Sequence, residues 1–464
     1  GTRKIEALKL DMSLLKEDKH DKTILGVNRK RHYDEFLDMP LLSTVGNSFK
    51  RYCFGTFFSK NVGTALGNSN QIPLEVDAFA RMHKLKLLQL KYIQISGSFK
   101  NFPKGLRWLC WHGFPFKSIP HDFPLESLIV LDMSYSRLQI IWEGAKLLES
   151  LKILDLSHSC CLTKTPDFSK VPNLERLIFK NCATLVEVHE SIGHLQRLVL
   201  FNLKDCKSLK KLPRSICMLK FLETLDISGC SNLEELPTEL GTMESLTVFH
   251  ANEIDISRLF STSKEVKSWH SLIWPSLLKP RSMEISWSFL PRSVVHLSLE
   301  NCNLSDDDFP RELSNLSSLQ TLNLSCNAIR SLPNCIGGHT GLQILSINRC
   351  TKLRSLEVQQ KLKELQFVGC TLLEKVTFQS CPLTIEYNNM YGNQFDLCWF
   401  GPILDMGMHH NLVEIMGGFK VEPLGNIDME VISNLGLSNL GSMGCSNVML
   451  SCFASWKARK FPLQ

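Results

Sequence analysis

One hydrophobic pattern returns at intervals of 24 residues through the middle of this sequence. In its clearest stretch it reads L-x-x-L-x-L-x-x-C, with occasional phenylalanine or isoleucine at the leucine positions, and it starts at Leu174, Leu198 and Leu222. A Leu-Pro pair follows the second and third copies, at Leu212 and Leu236. One copy holds too few apolar side chains to close a core by itself, so successive copies must stack on each other.

The pattern is that of a leucine-rich repeat, in which the last position of the template takes Asn or Cys. It predicts an α/β fold, a curved, horseshoe-shaped solenoid with a parallel β-sheet on its concave face. The alternation in x-L-x-L-x predicts a short strand in each coil. The proline-containing return segments are too short for long helices, so we expect 3₁₀ turns and short helices on the convex face.

The first leucine of each repeat can be followed through most of the chain at steps of 20 to 25 residues, with one exception. The step from Leu246 to Val294 is 48 residues, twice the usual 24, which indicates either one degenerate repeat or an insertion of that size. The starting positions are Leu85, Leu106, Leu128, Leu151, Leu174, Leu198, Leu222, Leu246, Val294, Leu319, Leu342 and Leu362.

The repeat array divides the chain into six parts. We expect a first repeat strand in residues 1–15, an irregular, flexible insertion in 16–71, repeats in 72–257, a degenerate repeat or insertion in 258–293, repeats in 294–381, and degenerate repeats with a truncated post-repeat tail in 382–464. Because the chain begins with Gly1 and not with methionine, we also expect it to be a fragment of a longer protein.

The number and spacing of the cysteines favour a protein of a reducing compartment. The chain has 17 of them, an odd number without any C-x-x-C pair, which predicts neither a disulfide framework nor a zinc knuckle. A side chain in the last template position lies where the chain leaves the strand, so Asn there bonds loop backbone groups, and Cys packs as a small apolar group with a weak donor. The residues in this slot are Cys182, Cys206, Cys230, Cys302, Asn327, Cys350 and Cys370.

The sequence offers no pattern that predicts catalysis. The glycine-rich segment 63–70 lacks the Gly-Lys-Ser/Thr ending of a phosphate-binding loop, and the histidines show no spacing suited to a catalytic dyad or a metal site. The net charge of +6 is small for 464 residues, and no run of about 20 apolar residues occurs. We therefore expect no enzyme activity, no cofactor, no metal, no nucleic-acid partner and no membrane span.

The candidate binding residues are those that flank the strand leucines, because these side chains face away from the core on the concave side. Neighbouring members of a column lie about 5 Å apart, the spacing of adjacent strands. Several are apolar, which suggests a partner site, and three are basic, which favours an acidic partner surface; covering of the apolar group by the insertion is the alternative. The predicted partner-binding residues are Trp108, His112, Val130, Asp132, Ile153, Asp155, Arg176, Ile178, Lys180, Leu200, Asn202, Lys204 and Asp226.

Several segments resemble one protein family. They are residues 1–6 (GTRKIE), 77–88 (DAFARMHKLKLL), 106–115 (LRWLCWHGFP), 151–159 (LKILDLSHS) and 165–168 (TPDF). They resemble the repeat region of plant Toll/interleukin-receptor-type nucleotide-binding leucine-rich-repeat disease resistance proteins, and especially the tobacco-mosaic-virus-resistance type.

The resemblance implies a cytosolic or nuclear immune receptor. Its repeats would sense a pathogen effector or a guarded host protein and hold the receptor's own nucleotide-binding module inactive. The NAD-cleaving and nucleotide-binding domains of the family are not part of this sequence. The alternatives are a protein-recruiting repeat subunit of a ubiquitin ligase and, less favoured, an extracellular receptor ectodomain, whose turns read L-T-G-x-I-P where this chain has K-L-P and E-L-P.

Overall fold

The computed structural model describes the repeats and leaves several intervening segments undescribed. The segments described are residues 6–11, 73–256, 259, 290–309, 316–337, 339–358, 362–378, 384–388, 395–399, 414–416 and 419–423. The predicted insertion at 16–71 lies outside these residues, as do almost all of 258–293 and, apart from four strand backbones, the predicted tail at 382–464. Within the described part, no helix is long and apolar enough to cross a bilayer.

A single 15-stranded sheet, parallel at every pairing, runs along the chain with one strand from each coil. With strands numbered in chain order through the whole molecule, its members are β1 (Ala7–Asp11), β3 (Leu87–Lys91), β5 (Trp108–His112), β6 (Val130–Asp132), β7 (Ile153–Asp155), β8 (Arg176–Ile178), β9 (Leu200–Asn202), β10 (Thr224–Asp226), β11 (Val248–His250), β12 (His296–Ser298), β13 (Thr321–Asn323), β14 (Ile344–Ser346), β16 (Glu364–Gln366), β18 (Thr384–Asn388) and β20 (Glu414–Met416).

Six of the described return segments are 3₁₀ turns, as the short proline-containing sequences predict. They cover Val76–Phe79, Phe99–Asn101, Glu190–His194, Arg214–Met218, Thr238–Thr242 and Asp306–Asp308, and one α-helical turn covers Asn334–Gly337. A two-stranded pair also joins β2 (Leu74–Glu75) to β4 (Ile95–Ser96). Ile192, Ile216 and Leu240 lie on three successive turns and are completely buried, so the turns close the core opposite the sheet.

The C-terminal coils differ from this expectation, because their return segments are strands. A second parallel sheet consists of β15 (Ser355–Val358), β17 (Lys375–Phe378), β19 (Phe395–Trp399) and β21 (Phe419–Pro423). The isolated bridge between Ser331 and Ser355 leads into this sheet from the preceding coil. These segments alternate apolar and polar side chains, and their only proline is Pro423 at the end of β21, so they can pair as extended strands.

The core is one continuous stack of inward side chains. Leu177, Phe201 and Leu225 occupy the same register position on β8, β9 and β10, and all three are fully buried. Each is covered on both sides by the equivalent residue of the neighbouring coil. At about 1.5–3 kcal/mol for each buried aliphatic side chain, a coil gains enough to offset its ordering entropy only when both neighbours are present.

Twelve strands of the long sheet, β3, β5 to β14 and β16, are each followed by a residue with left-handed backbone, which turns the chain out of the sheet. This position tolerates Gly, Asn and Asp most easily. At Gly229 any β-carbon would collide with the Asp205 carboxylate of the preceding coil. The residues at this position are Tyr92, Gly113, Tyr135, His158, Asn181, Asp205, Gly229, Glu253, Asn301, Cys326, Arg349 and Gly369.

The Asn/Cys slot behaves as the template predicts. Each slot cysteine is buried and its thiol donates to a backbone carbonyl of the preceding coil, for example Cys206 Sγ to the Phe179 oxygen at 3.1 Å. Burial raises the pKa of Cys182 and of Cys230 to about 12, so these thiols stay protonated at neutral pH. They therefore act as structural hydrogen-bond donors.

Across the double step between Leu246 and Val294, strand β11 pairs directly with β12, with Phe249 opposite Leu297. Residues 258–293 lie almost wholly outside the described part, so the choice between a degenerate repeat and an insertion there stays a prediction. Likewise, β1 pairs directly with β3, with Leu8 opposite Leu88, although more than 70 residues separate them in the chain.

Candidate functional site

The predicted surface columns lie in register across strands β5 to β10. Trp108, Val130, Ile153, Arg176 and Leu200 are consecutive neighbours in one row. Cys110, Asp132, Asp155, Ile178, Asn202 and Asp226 form the next row. The repeat spacing thus predicts correctly which outward side chains are neighbours. Whether these residues bind a partner stays a prediction.

Two of the residues predicted to face solvent are buried in the structure. Ile153 and Asp155 are only 6% and 5% exposed, so the expectation that they face solvent is wrong. The Asp155 carboxylate accepts from the backbone N–H and the hydroxyl of Ser157 and lies beside the Ser134 hydroxyl, and these groups cover it. Ile153 lies in register between Val130 and Arg176 of the adjacent strands. The other eleven predicted residues are half-buried and line the same face: Trp108, His112, Val130, Asp132, Arg176, Ile178, Lys180, Leu200, Asn202, Lys204 and Asp226.

A compact cluster of polar groups occupies the N-terminal part of this face. Asp132 Oδ2 lies 3.0 Å from His112 Nε2 and 3.4 Å from Cys110 Sγ. The other carboxylate oxygen of Asp132 accepts from the backbone N–H and the hydroxyl of Ser134, at 3.0 and 2.6 Å. The Ser134 hydroxyl also lies 3.4 Å from Asp155 Oδ1, which links the two carboxylates.

The pKa values of the Asp132 and Asp155 carboxyl groups are shifted in opposite directions. Burial by itself would raise the pKa of Asp132, but the His112 charge and the hydrogen bonds from His112 and Ser134 outweigh it and lower this pKa. Burial and the neighbouring Asp132 charge raise the pKa of Asp155 to about 6, against the hydrogen bonds from Ser157. Asp132 is therefore ionised at neutral pH, whereas Asp155 is about half-ionised near pH 6, since two adjacent carboxylates resist ionising together.

We expect Asp155→Asn to stabilise the protein at pH 8 by about 1–3 kcal/mol, at about 1.4 kcal/mol for each unit of pKa displacement. Because the folded-state pKa of Asp155, about 6, exceeds the ordinary 3.8, its favourable contribution exists below pH 4 and is lost as the pH rises through 6. Asparagine keeps an oxygen that can accept the two Ser157 hydrogen bonds. Urea unfolding with EDTA present, at pH 4.5 and pH 8, measures the difference.

Asp226→Asn is the matched control for this pH effect. Asp226 lies in the same row and accepts the same kind of hydrogen bond from the backbone of Ser228, but it is half-buried. Its replacement should change stability little at either pH. A stabilisation by Asp155→Asn of the same size at both pH values would contradict the assignment to Asp155 ionisation.

Aromatic rings continue the site at the end of the strands. The Tyr135 ring stacks on His158 of the next coil at 4.5 Å with nearly parallel planes. Asn181 Nδ2 lies 2.9 Å from His158 Nδ1, which continues this row by another coil. Tyr135 and His158 hold left-handed backbone at φ near +62°, a conformation that bulky residues adopt at a cost. Tyr135 is 36% exposed and lies edge-on to His112.

The basic residues of this region form two separate groups, of which only the first contains predicted binding residues. Lys180 and Lys204 are neighbours beside Arg176 on the sheet face, and the described residues include no ion pair of either lysine. Lys207, Lys210, Lys211 and Arg214 are exposed and lie past the strands. Lys211 forms backbone bridges with Glu187 and Glu235 of the adjacent coils, so acidic residues flank this second group.

The sequence reading missed the grouping of Cys110 and His112 with Asp132. Metal sites are recognised in a sequence from short spacings, but these residues meet across adjacent strands. Asp132 is 20 positions from His112 and 22 from Cys110. The available signal was the column itself, which places Cys110 beside Asp132. Gln89, only 6% exposed and 3.8 Å from the Cys110 sulfur through its Nε2, was also missed, because β3 was not included in the columns.

The geometry defines a protein class: a leucine-rich-repeat solenoid that presents one ordered face of its sheet. Residues 147–249 match a family model described as "Disease resistance protein RPS4B-like, leucine-rich repeats", and residues 318–339 match "Leucine Rich Repeat". The chain is thus a leucine-rich-repeat protein, and its repeats are similar to those of plant disease resistance proteins.

Individual plant disease resistance proteins show the same similarity. Disease resistance protein RRS1 of Arabidopsis thaliana is 29% identical over 363 residues, which cover 71% of this chain and 28% of that protein. TMV resistance protein N of Nicotiana glutinosa is 29% identical over 386 residues, 66% of this chain and 33% of that protein. Disease resistance protein RPV1 of Vitis rotundifolia is 33% identical over 141 residues, 30% of this chain and 10% of that protein. The chain thus spans a third or less of the relatives' length.

Among solved structures, the Leptospira interrogans LRR protein LIC12759 is similar at a TM-score of 0.39 with 19% identity, over 66% of this chain and 81% of that one.

Proposed function

We propose that this chain is the non-catalytic sensor and autoinhibitory repeat region of an intracellular plant immune receptor. Its sheet face recognises a pathogen effector or a guarded host protein and, in the resting receptor, contacts the nucleotide-binding module. The similarity of the repeats to those of plant disease resistance proteins supports the class of function. The observation that carries the proposed surface is the register of outward side chains across β5 to β10, which makes one uninterrupted face.

The face combines features that suit a protein partner. Half-buried Trp108, Ile178 and Leu200 supply apolar contact area on rigid strands, and aromatic side chains of this kind are frequent anchors of interfaces. Lys180 and Lys204 lie beside them and favour a partner with an acidic surface. Neighbouring strands fix the spacing of these groups, so the face loses little conformational entropy on binding.

A switch requires that the ligand and the nucleotide-binding module favour different states of the receptor. If both contact this face, effector binding lowers the affinity of the face for the module and releases it. Cys160 and Cys161 are free and exposed. Exposed thiols persist in a reducing compartment, which supports the cytosolic or nuclear location that we propose.

Charge reversal tests the surface in the complete receptor. We expect Arg176→Glu, Lys180→Glu and Lys204→Glu together either to abolish effector-dependent cell death or to cause cell death without effector, because like charges across an interface cost several kcal/mol. Transient expression in leaves with and without effector provides the measurement.

The triple variant Lys207→Glu, Lys210→Glu and Lys211→Glu is the matched control. It makes the same change of net charge on exposed residues outside the sheet face, and receptor behaviour should stay as in the parent. If the control alters signalling and the sheet-face variant does not, the proposed surface is wrong.

A further inference from the structure

We propose that Cys110, His112 and Asp132 form a binding site for a zinc ion that joins strands β5 and β6. The ligand atoms of the three side chains all lie within 4.8 Å of one another. Sulfur, imidazole nitrogen and carboxylate oxygen together form a donor set that suits Zn²⁺, whereas Mg²⁺ and Ca²⁺ take oxygen donors almost exclusively.

Two of the three distances between ligand atoms are near those of a tetrahedral centre. With bonds of about 2.3 Å to sulfur and about 2.1 Å to nitrogen and oxygen, a tetrahedral ion separates sulfur from oxygen by about 3.6 Å and nitrogen from oxygen by about 3.4 Å. Cys110 Sγ lies 3.4 Å from Asp132 Oδ2, and His112 Nε2 lies 3.0 Å from the same oxygen. Each pair therefore needs to open by only a few tenths of an ångström.

The backbone holds these three groups in place. Cys110 and His112 lie two residues apart on β5, so both project from the same face of the sheet. Asp132 is the register partner of Cys110 on β6. The pairing of β5 with β6 thus positions all three ligand residues, and no loop residue is needed.

Neighbouring groups orient the ligands, as they do around metal sites generally. The Ser134 backbone N–H and hydroxyl hold Asp132 Oδ1, which directs Oδ2 towards the thiol and the imidazole. Gln89 Nε2 lies 3.8 Å from Cys110 Sγ on the β3 side and can donate to a thiolate.

Charge and access also favour a cation. Asp132 and Asp155 are adjacent carboxylates in one row, and a divalent ion beside Asp132 offsets their repulsion. The side chains of His112 and Asp132 are 18% and 17% exposed, which leaves an entry path and room for water as the fourth ligand. Cys110 is closed off at 2% exposure. On binding, the ion takes the place of the thiol proton and of the proton between His112 Nε2 and Asp132 Oδ2, and both protons pass to solvent.

Titration of the 464-residue chain with Co²⁺, a spectroscopic substitute for Zn²⁺, tests the site. After removal of metals with a chelator, we expect one equivalent of Co²⁺ to give thiolate-to-cobalt charge-transfer absorption, which Zn²⁺ then abolishes. Cys110→Ser should lose this absorption. The matched control, Cys160→Ser with Cys161→Ser, removes two exposed thiols outside the cluster and should keep it.

A second set of variants covers the risk that replacement of a buried cysteine disturbs folding. His112→Gln alters a partly exposed side chain and should weaken Zn²⁺ binding by at least about a hundredfold, with an unchanged far-ultraviolet circular dichroism spectrum. Ser134→Ala, which removes a positioning residue, should weaken it by about 10- to 100-fold. Absence of the absorption in the parent chain, its persistence in Cys110→Ser, or unchanged Zn²⁺ affinity in His112→Gln would each overturn the proposal, independently of whether the chain senses an effector.

Discussion

Replacement of Trp111 by alanine is expected to lower the free energy of unfolding by about 3–5 kcal/mol, the usual cost of deleting a fully buried large aromatic side chain. Trp111 is fully buried. Its ring packs edge-on against Phe114 at 4.8 Å and lies 6.4 Å from both Phe99 and Phe123. The cavity would lie among aromatic groups of adjacent coils that cannot collapse together, because the sheet fixes their spacing.

Trp108→Ala is the control for this prediction. Trp108 is on the same strand as Trp111, but it projects from the opposite face and is half-buried, so its removal should cost about 1 kcal/mol or less. Urea unfolding followed by circular dichroism is the appropriate measurement, since both variants lose a fluorophore. Equal losses in the two variants would show that the core does not lie on the Trp111 side of the sheet.

Replacement of Asn327 by alanine should cost at least about 3 kcal/mol, because it leaves several buried backbone groups without partners at about 1–3 kcal/mol each. The Asn327 amide donates to the carbonyl oxygens of Leu299 and Leu324, both at 2.8 Å. Its oxygen accepts from the backbone N–H groups of Cys302 and Leu304 at 3.0 and 3.1 Å. This one side chain therefore satisfies four backbone groups of two successive coils.

Two further variants separate this effect from a general loss of polarity. Asn327→Cys should cost less than alanine, because a cysteine in this slot donates to the preceding coil, as Cys350 does to the Leu324 oxygen. Asn323→Ala removes a half-buried asparagine from the sheet face and should cost about 1 kcal/mol. Thermal unfolding of the three variants ranks their losses of stability. A loss of stability in Asn323→Ala as large as that in Asn327→Ala would contradict the structural role of the slot.

Much of the fold could be predicted from spacing, because the position of a residue within the repeat fixes its position within the coil. The inward leucines, the strand positions and the Cys or Asn slot follow from the 24-residue period, and the register confirms the neighbours, as Leu177, Phe201 and Leu225 show. The second sheet could not be predicted in the same way. Return segments such as Ser355–Val358 and Lys375–Phe378 pair only when two adjacent coils are both extended there.

The sequence by itself determined the stacking of coils, the parallel sheet and the row to which each outward side chain belongs, because periodic apolar residues can be buried only by neighbouring copies of themselves. Only the tertiary structure decided which members of a row remain accessible and which polar groups meet. Ile153 and Asp155 are covered, and Cys110, His112 and Asp132 converge, because both outcomes depend on side-chain packing between strands about 5 Å apart. That packing depends on the neighbours in adjacent coils, which the repeat template leaves free to vary.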